Sequence, residues 1–500
     1  MNNKTINAPP KPIAIIESLR GLGYSTASAL ADIIDNSIAA QADEVSVSFC
    51  WRSKGSYISV LDNGNGMDAE ALYDAMRLGG RSPLEERAIN DLGRFGLGLK
   101  TASFSQCRRL TVASRQHDRL SCLCWDLDYL ASTTDDGWHL LEGTYEGSED
   151  MIHPVSSVDT GTLVLWEVLD RIVAAGFTEQ DFLDLIDRVE RHLSMVFHRY
   201  LKGPRPRLNI FINGRRVPAW DPFLLDHPAT WSSPIEALTT SSGEIVVQCH
   251  VLPHRDRLEQ REYESAAGPD GWTAQQGFYV YRNERLLVAG SWLGLGQGRC
   301  WTKEEAHRLA RIRIDIPNSA DVEWNIDVRK SSARPPVSVK NRLIRLAEDA
   351  RERARRVFAH RGHAVRLPTE GSLILAWRAE HFAGGLRYRI DQEHPAVKSV
   401  LEEAGSLLPD VKSMLCIIEE TVPVQRIWLD TAEGKEVPRT GFSGEPSENV
   451  TAVLEAMYKN LINRKHLSSS AAREQLLRTE PFQDYPQLVA SLPDEVQRND

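Results

Sequence analysis

Three stretches of the chain carry residue types that could do chemistry. The first is Ala31-Asp32-Ile33-Ile34-Asp35-Asn36-Ser37-Ile38-Ala39-Ala40, where Leu30, Ile33, Ile34 and Ile38 recur at helical spacing. On such a helix Asp32 and Asn36 stand four apart and share a face. A carboxylate beside a carboxamide can hold a hydrated magnesium ion and polarise a water. Alone, the pair reads as a solvated polar stripe. Two glycine-bearing runs change that reading: Asp62-Asn63-Gly64-Asn65-Gly66-Met67, and Gly93-Arg94-Phe95-Gly96-Leu97-Gly98-Leu99-Lys100-Thr101. Their order and spacing are what a nucleotide site needs.

The elements that must position these residues are legible too. Ser25 or Thr26 is placed to cap the motif helix. Val45–Phe49 and Tyr57–Leu61 read as paired strands, the second delivering Asp62 into the Gly64/Gly66 turn. Glycine permits close backbone approach there, and a buried carboxylate can accept a hydrogen bond from an adenine amino group. Gly79-Gly80-Arg81-Ser82-Pro83 and the charged stretch after it suit a lid. Gly96, Leu97 and Gly98 should present backbone N–H groups at a helix start, where phosphate is favoured, with Lys100 adding a cation. GxxxxGK[ST] does not occur, so this is not a P-loop. Gly294-Leu295-Gly296-Gln297-Gly298 lacks a strand-to-helix context and reads as a plain loop.

Taken together, the motifs resemble the GHKL (Bergerat-fold) ATPases, which include gyrase-type topoisomerases, Hsp-type chaperones, histidine kinases and MutL. The look is nearest to the MORC and MutL-like prokaryotic branch, and it covers roughly residues 13–340. The resemblance implies an α+β chain: a GHKL α/β sandwich, a ribosomal-protein-like α/β transducer domain, and a small α/β C-terminal domain. It implies ATP and Mg2+ as ligands, Asp32 as the base for the attacking water, Asn36 on magnesium, Asp62 reading adenine, Met67 near the ring, and Thr162 in the adenine water network. Trp324-Asn325-Ile326-Asp327-Val328-Arg329-Lys330 resembles the MutL segment whose terminal lysine reaches the γ-phosphate, which makes Lys330 the expected sensor. The family usually has glutamate where this chain has Asp32, a methylene shorter, so slow hydrolysis is expected. Ala39 also stands where the family more often has aspartate.

Length and composition bound the rest. Five hundred residues suggest two or three domains, and 42% hydrophobic content is ordinary for a globular chain. The expected divisions are an arm at 1–12, the ATP-binding domain at 13–202, the transducer with a basic helix at 203–362, and a partner-binding or dimerising domain at 363–500. Leu208–Val217 reads as a hairpin after the proline-rich boundary at 203–207, Gly277–Tyr281 and Arg285–Val288 as another around Arg282-Asn283-Glu284, and strands are expected near Leu373–Trp377 and Leu386–Ile390. No apolar run approaches a membrane span, and the N-terminus lacks the apolar core of a signal peptide. Seven cysteines without a CxxC pair fit reduced thiols and a cytoplasmic location. A net charge of −10 argues against a chain coated in nucleic acid. The basic run 340–361 reads as a solvated face or as a sequence-independent DNA contact. Asp391-Gln392-Glu393-His394 has broken spacing for a metal-dependent nuclease. What the resemblance to the GHKL ATPases implies for activity is slow ATP hydrolysis in an ATP-dependent homodimeric clamp on DNA, with nuclease or helicase partners and a role in antiviral defence. A non-hydrolysing nucleotide-binding scaffold is the alternative.

Overall fold

The computed structural model describes residues 11–79, 98–133, 137–321, 323–327, 330, 332–359, 374–382, 385–424, 426–427, 448–463 and 466–494. The chain divides into two compact units, Met1–Gly362 and His363–Asp500.

In the first unit, helix α1 (Pro12–Arg20) leads into α2 (Thr26–Ala39). Ser25 caps α2, and Ser28 reciprocates toward the cap backbone, so two orphan N–H groups are satisfied at once. The alternating strand β1 (Glu44–Cys50) pairs antiparallel with β2 (Tyr57–Asp62). After α3 (Ala69–Met76) and α4 (Gly98–Phe104) come β3 (Arg109–Gln116), β4 (Arg119–Asp126), the short β5 (Leu141–Glu142) and the fully buried β6 (Gly161–Glu167). These strands form one sheet with β7 (Asn209–Ile212) and β8 (Arg215–Arg216), in the order β5-β4-β3-β6-β2-β1-β7-β8.

β7 and β8 belong to the first sheet and not to the second. The hairpin at 208–217 was expected to open the second domain, yet β7 runs parallel to β1 and buries Ile210 and Ile212 in the first core. The physical reason is edge completion: β1 has free ladder groups on that side, and β7 supplies them with alternating apolar residues.

The second sheet follows β9 (Trp231–Ser232): β10 (Glu236–Thr240), β11 (Gly243–Val251), β12 (Gly277–Arg282), β13 (Arg285–Ser291) and β14 (Ala310–Ile316), in the order β10-β11-β14-β12-β13 with β9 on β11. The expected hairpin around Arg282-Asn283-Glu284 is β12–β13, with Asn283 and Glu284 both at positive φ as a tight turn requires. The basic helix, Val337–Ala359, covers this sheet with Val339, Leu343, Ala347, Ala350 and Ala354, a stripe at three- and four-residue spacing. The helix Glu179–Val196 is boxed at its start by Thr178 and Asp181 and packs on both α2 and β13. It ties the two layers together.

The second unit holds a hairpin of β15 (Trp377–Phe382) and β16 (Gly385–Ile390), with its core where the helix Glu448–Asn463 meets Ser469–Leu477. The first strand lies several residues later than the 373–377 expected. His394 of the broken metal motif bonds the Glu480 carbonyl at 2.9 Å. No helix among the described residues is long and apolar enough to cross a membrane.

Leu343 is fully buried under the basic helix. Leu343→Ala is expected to cost about 2–5 kcal/mol, read as a lowered denaturation midpoint with an unchanged slope.

Candidate functional site

The motif helix α2 is buried on nearly every side: Leu30, Ile33 and Ile34 face core, and so do Asp32 and Asp35, at 4% and 2% exposure. Asn36 is exposed. Asp32 is thus grouped with Asp35, one turn on, rather than with Asn36 as the sequence suggested. Burying two carboxylates needs cations, and both come from the second layer. Lys330 donates to Asp32 Oδ1 at 3.0 Å and to Asp35 Oδ2. Arg285, the first residue of β13, donates Nε to both oxygens of Asp35 at 2.9 Å, and its Nη2 lies 3.5 Å from Asp32. Burial alone would raise the Asp35 pKa, but Arg285 and Lys330 outweigh it and hold the carboxyl below its usual range. The second oxygen of Asp32 accepts from Tyr24 Oη at 2.9 Å. Burial and the neighbouring Asp32 charge push the Tyr24 phenol well up, which keeps it a donor.

The second half of the site is built around Asp62 at the end of β2. Its Oδ1 accepts from Gly64 N at 3.0 Å and Thr162 N at 3.2 Å, and its Oδ2 accepts from Ser37 Oγ at 2.8 Å. A carboxylate has about four lone-pair sites, so one acceptor position is left for a donor such as an exocyclic amine. Burial pushes the Asp62 pKa up against the lowering effect of those three bonds. Behind it, Thr162 Oγ1 lies 2.9 Å from Ser114 Oγ, which accepts from Met67 N at 2.8 Å. The glycines here serve the chain's own packing. A Cβ on Gly66, at φ +65°, would lie 2.0 Å from the Arg115 carbonyl oxygen, and one on Gly64 would lie 2.8 Å from that of Ala40.

Lys100 departs from expectation. Its ammonium is buried and donates to the carbonyls of Ala75 and Arg77 at 2.8 and 3.0 Å, the C-terminal end of α3. Carbonyls that end a helix attract a cation. Burial pulls the Lys100 pKa down to about 8. As an open phosphate contact it would first have to leave those carbonyls. Gly98 opens α4 as expected, while Gly96 and Leu97 lie outside the described residues.

The donor set can be tested against the implied ligands. The vacant lone pair on Asp62 fits adenine. Among the described residues no group of three or more His, Cys, Asp or Glu side chains could cage a metal. Asn36 offers one exposed oxygen donor, which fits a magnesium ion carried mainly by phosphates and water.

Sequence reasoning missed Asp35, Arg285, Tyr24, Ser37 and Ser114. Asp35 had a signal: a second carboxylate three residues from Asp32, on a helix otherwise apolar around it. Arg285 had none, because its partner lies 250 residues away.

Comparison with known proteins places the first half of this geometry. Residues 24–162 match the family described as Histidine kinase-, DNA gyrase B-, and HSP90-like ATPase. The chain therefore carries a GHKL-type ATPase domain with the Bergerat fold over about residues 24–162, followed by further α/β structure. The match opens on Tyr24 and closes on Thr162, leaving Arg285 and Lys330 outside it. No curated protein matches the chain significantly.

Two outcomes follow for Asp62 and Asp35. Asp62→Asn replaces an acceptor with an amide and is expected to weaken adenine-nucleotide binding about 10- to 100-fold, the worth of one hydrogen bond to a charged group. Because the Asp62 pKa is raised, its carboxylate is lost early on acidification; fluorescence titration should show an acid limb in nucleotide affinity that Asp62→Asn lacks. Asp35 has the opposite sign. Its lowered pKa contributes stability that is fully present above the ordinary value near 4 and is lost as pH falls through the folded value. Acid unfolding of Asp35→Asn should be correspondingly flatter below about pH 4.

Proposed function

We propose that the chain is a Mg-dependent, slow ATPase of MORC/MutL-like type, working as an ATP-gated dimeric clamp. The observation that supports this reading is the meeting of Lys330, which follows the second sheet in the chain, with Asp32 on the motif helix. A cation shared between the water-side carboxylate and a later segment can sense the terminal phosphate and pass its presence to that layer. In this reading Asp62 reads adenine, with Gly64, Gly66, Met67 and Thr162 forming its surround. The Gly96–Leu97–Gly98 backbone receives the phosphates. Asn36 holds magnesium, which when bound neutralises phosphate charge. Asp32, oriented by Tyr24, takes the proton of the attacking water.

The second layer would then be the transducer, and a homodimer closing on ATP would be the output. A DNA contact through 340–361 is the weaker part. Arg342 pairs with Glu236, Arg356 pairs with Glu352, Arg351 lies over Trp292 and Trp301, and Arg353 lies over Trp231. Lys340, Arg345 and Arg355 remain as exposed cations, and Arg361 lies outside the described residues. Three phosphate contacts would give a log–log salt slope of only about −3. Nuclease or helicase partners and a role in prokaryotic antiviral defence belong to the same reading by analogy.

A second reading, a nucleotide-binding scaffold without hydrolysis, is favoured by one observation: Tyr24 and Lys330 engage both oxygens of Asp32. Turnover separates the two. Phosphate release by the full chain should need magnesium and fall at least about 100-fold in Asn36→Ala, with magnesium-free nucleotide binding retained. Wild-type turnover in that variant would overturn the ATPase reading; tight ATP binding with no phosphate release from the natural chain would establish the scaffold. Sedimentation with a non-hydrolysable ATP analogue, with and without DNA, tests the clamp; a monomer indifferent to both excludes it.

A further inference from the structure

The cluster of Asp32, Asp35, Arg285 and Lys330 has features that a simple sensor does not require. A lysine that only reached toward phosphate would need no second carboxylate behind it. Here Lys330 is bonded to two, Asp32 Oδ1 at 3.0 Å and Asp35 Oδ2, with little of its side chain exposed. Arg285 is held by Asp35 through both carboxylate oxygens and only approaches Asp32, at 3.5 Å. The four charges sum to zero. The Lys330 backbone is in the left-handed region at φ +54°, a conformation that a lysine adopts at a cost. Its loop is closed by Asp327, whose carbonyl accepts from Lys330 N at 3.0 Å and whose carboxylate accepts from Ser332 N at 2.9 Å.

Consider what Asp32 must do to accept a proton. A carboxylate ion-paired to an ammonium is a weaker base, so Lys330 must let it go. With Asp32 as its only partner, Lys330 would then be left buried and unpaired, which is costly. Asp35 removes that cost, because the ammonium already bonds it and can stay on it. Arg285, anchored on Asp35 by two bonds, remains in place and keeps β13 docked on the motif helix.

We propose that Asp35 is a positioning residue of the ATPase site: it retains Lys330 and Arg285 when Lys330 releases Asp32, and so sets how readily Asp32 becomes free to act as base. This rests on the ATPase reading and adds the device that regulates it. The exchange is a change of partner within one cluster, with no bond made or broken covalently. A terminal phosphate oxygen, being anionic, is a third acceptor toward which Lys330 can turn while Asp35 holds Arg285.

The test uses the full chain with Mg-ATP turnover, and a fluorescent ATP analogue for affinity. In Asp35→Asn, Lys330 and Arg285 lose their shared carboxylate and both fall to Asp32. The expected result is a kcat lower by about 10- to 100-fold, part of the roughly 100- to 10,000-fold that a positioned general base contributes, with nucleotide affinity within about threefold of the natural chain, since Asp62 is untouched. The double variant Asp35→Asn/Arg285→Gln removes the surplus cation as well and should recover at least part of the lost kcat; it also removes the unpaired buried charge that could unfold the single variant. Natural kcat in Asp35→Asn, or a folded double variant that is no faster than the single one, overturns the proposal. If Asp35→Asn does not fold, the double variant alone decides: it should turn over slower than the natural chain but faster than Asp32→Asn, and equality with Asp32→Asn overturns the role. Absence of turnover in the natural chain is a different failure, because it removes the ATPase reading itself.

Discussion

Two carboxylates buried on one helix turn are tenable only because two cations from another layer neutralise them. That requirement organises the first unit. Asp32 and Asp35 sit at 4% and 2% exposure on a helix that also buries Leu30, Ile33 and Ile34, and removing either cation would strand a charge at a cost of about 3–5 kcal/mol. The partners are the first residue of β13 and a residue past the second sheet, so the second sheet is held against the motif helix by charge as well as by shape. The helix Glu179–Val196 supplies the shape, packing on α2 and on β13.

The Asp62 side follows a different logic. Among the described residues Asp62 has no cation as a partner; three donors, two of them backbone N–H groups, hold it in place. Burial pushes both carboxyls up; Asp62 stays raised, whereas Asp35 is brought below its ordinary value by Arg285 and Lys330 beside it. The same helix thus bears a charge-neutralised pair on one side and, through Ser37, a dipole-stabilised carboxylate on the other. The first suits exchange of partners; the second suits fixed recognition of a donor.

What could be read from the sequence was what is local. The motif helix, its Ser25 cap, the β1–β2 pair that delivers Asp62 and the β12–β13 hairpin all carry periodicity or turn chemistry within a few residues. The hairpin at 208–217 was also recognised as a hairpin, but assigned to the wrong layer. A strand pair carries no record of the edge it will join, and the β1 edge that accepts it lies far back in the chain. Lys100 shows the same limit in a side chain. Its position after the glycine run suggested phosphate, whereas the nearest acceptors in space are the last carbonyls of α3. Arg285 could not have been singled out at all, since nothing around it differs from an ordinary strand start.

The substitution of aspartate for the family's usual glutamate at position 32 gains a physical context from this cluster. A shorter side chain keeps its carboxylate closer to the helix axis, where Asp35, one turn along, can share a cation with it. A glutamate would carry its carboxylate farther from the helix axis and away from Asp35. The price of Asp32 is reach; what the chain gains is a carboxylate pair close enough for one ammonium to bridge, as Lys330 does. Lengthening Asp32 would therefore not be a simple repair, because the reach gained would loosen the bridge that docks the second layer.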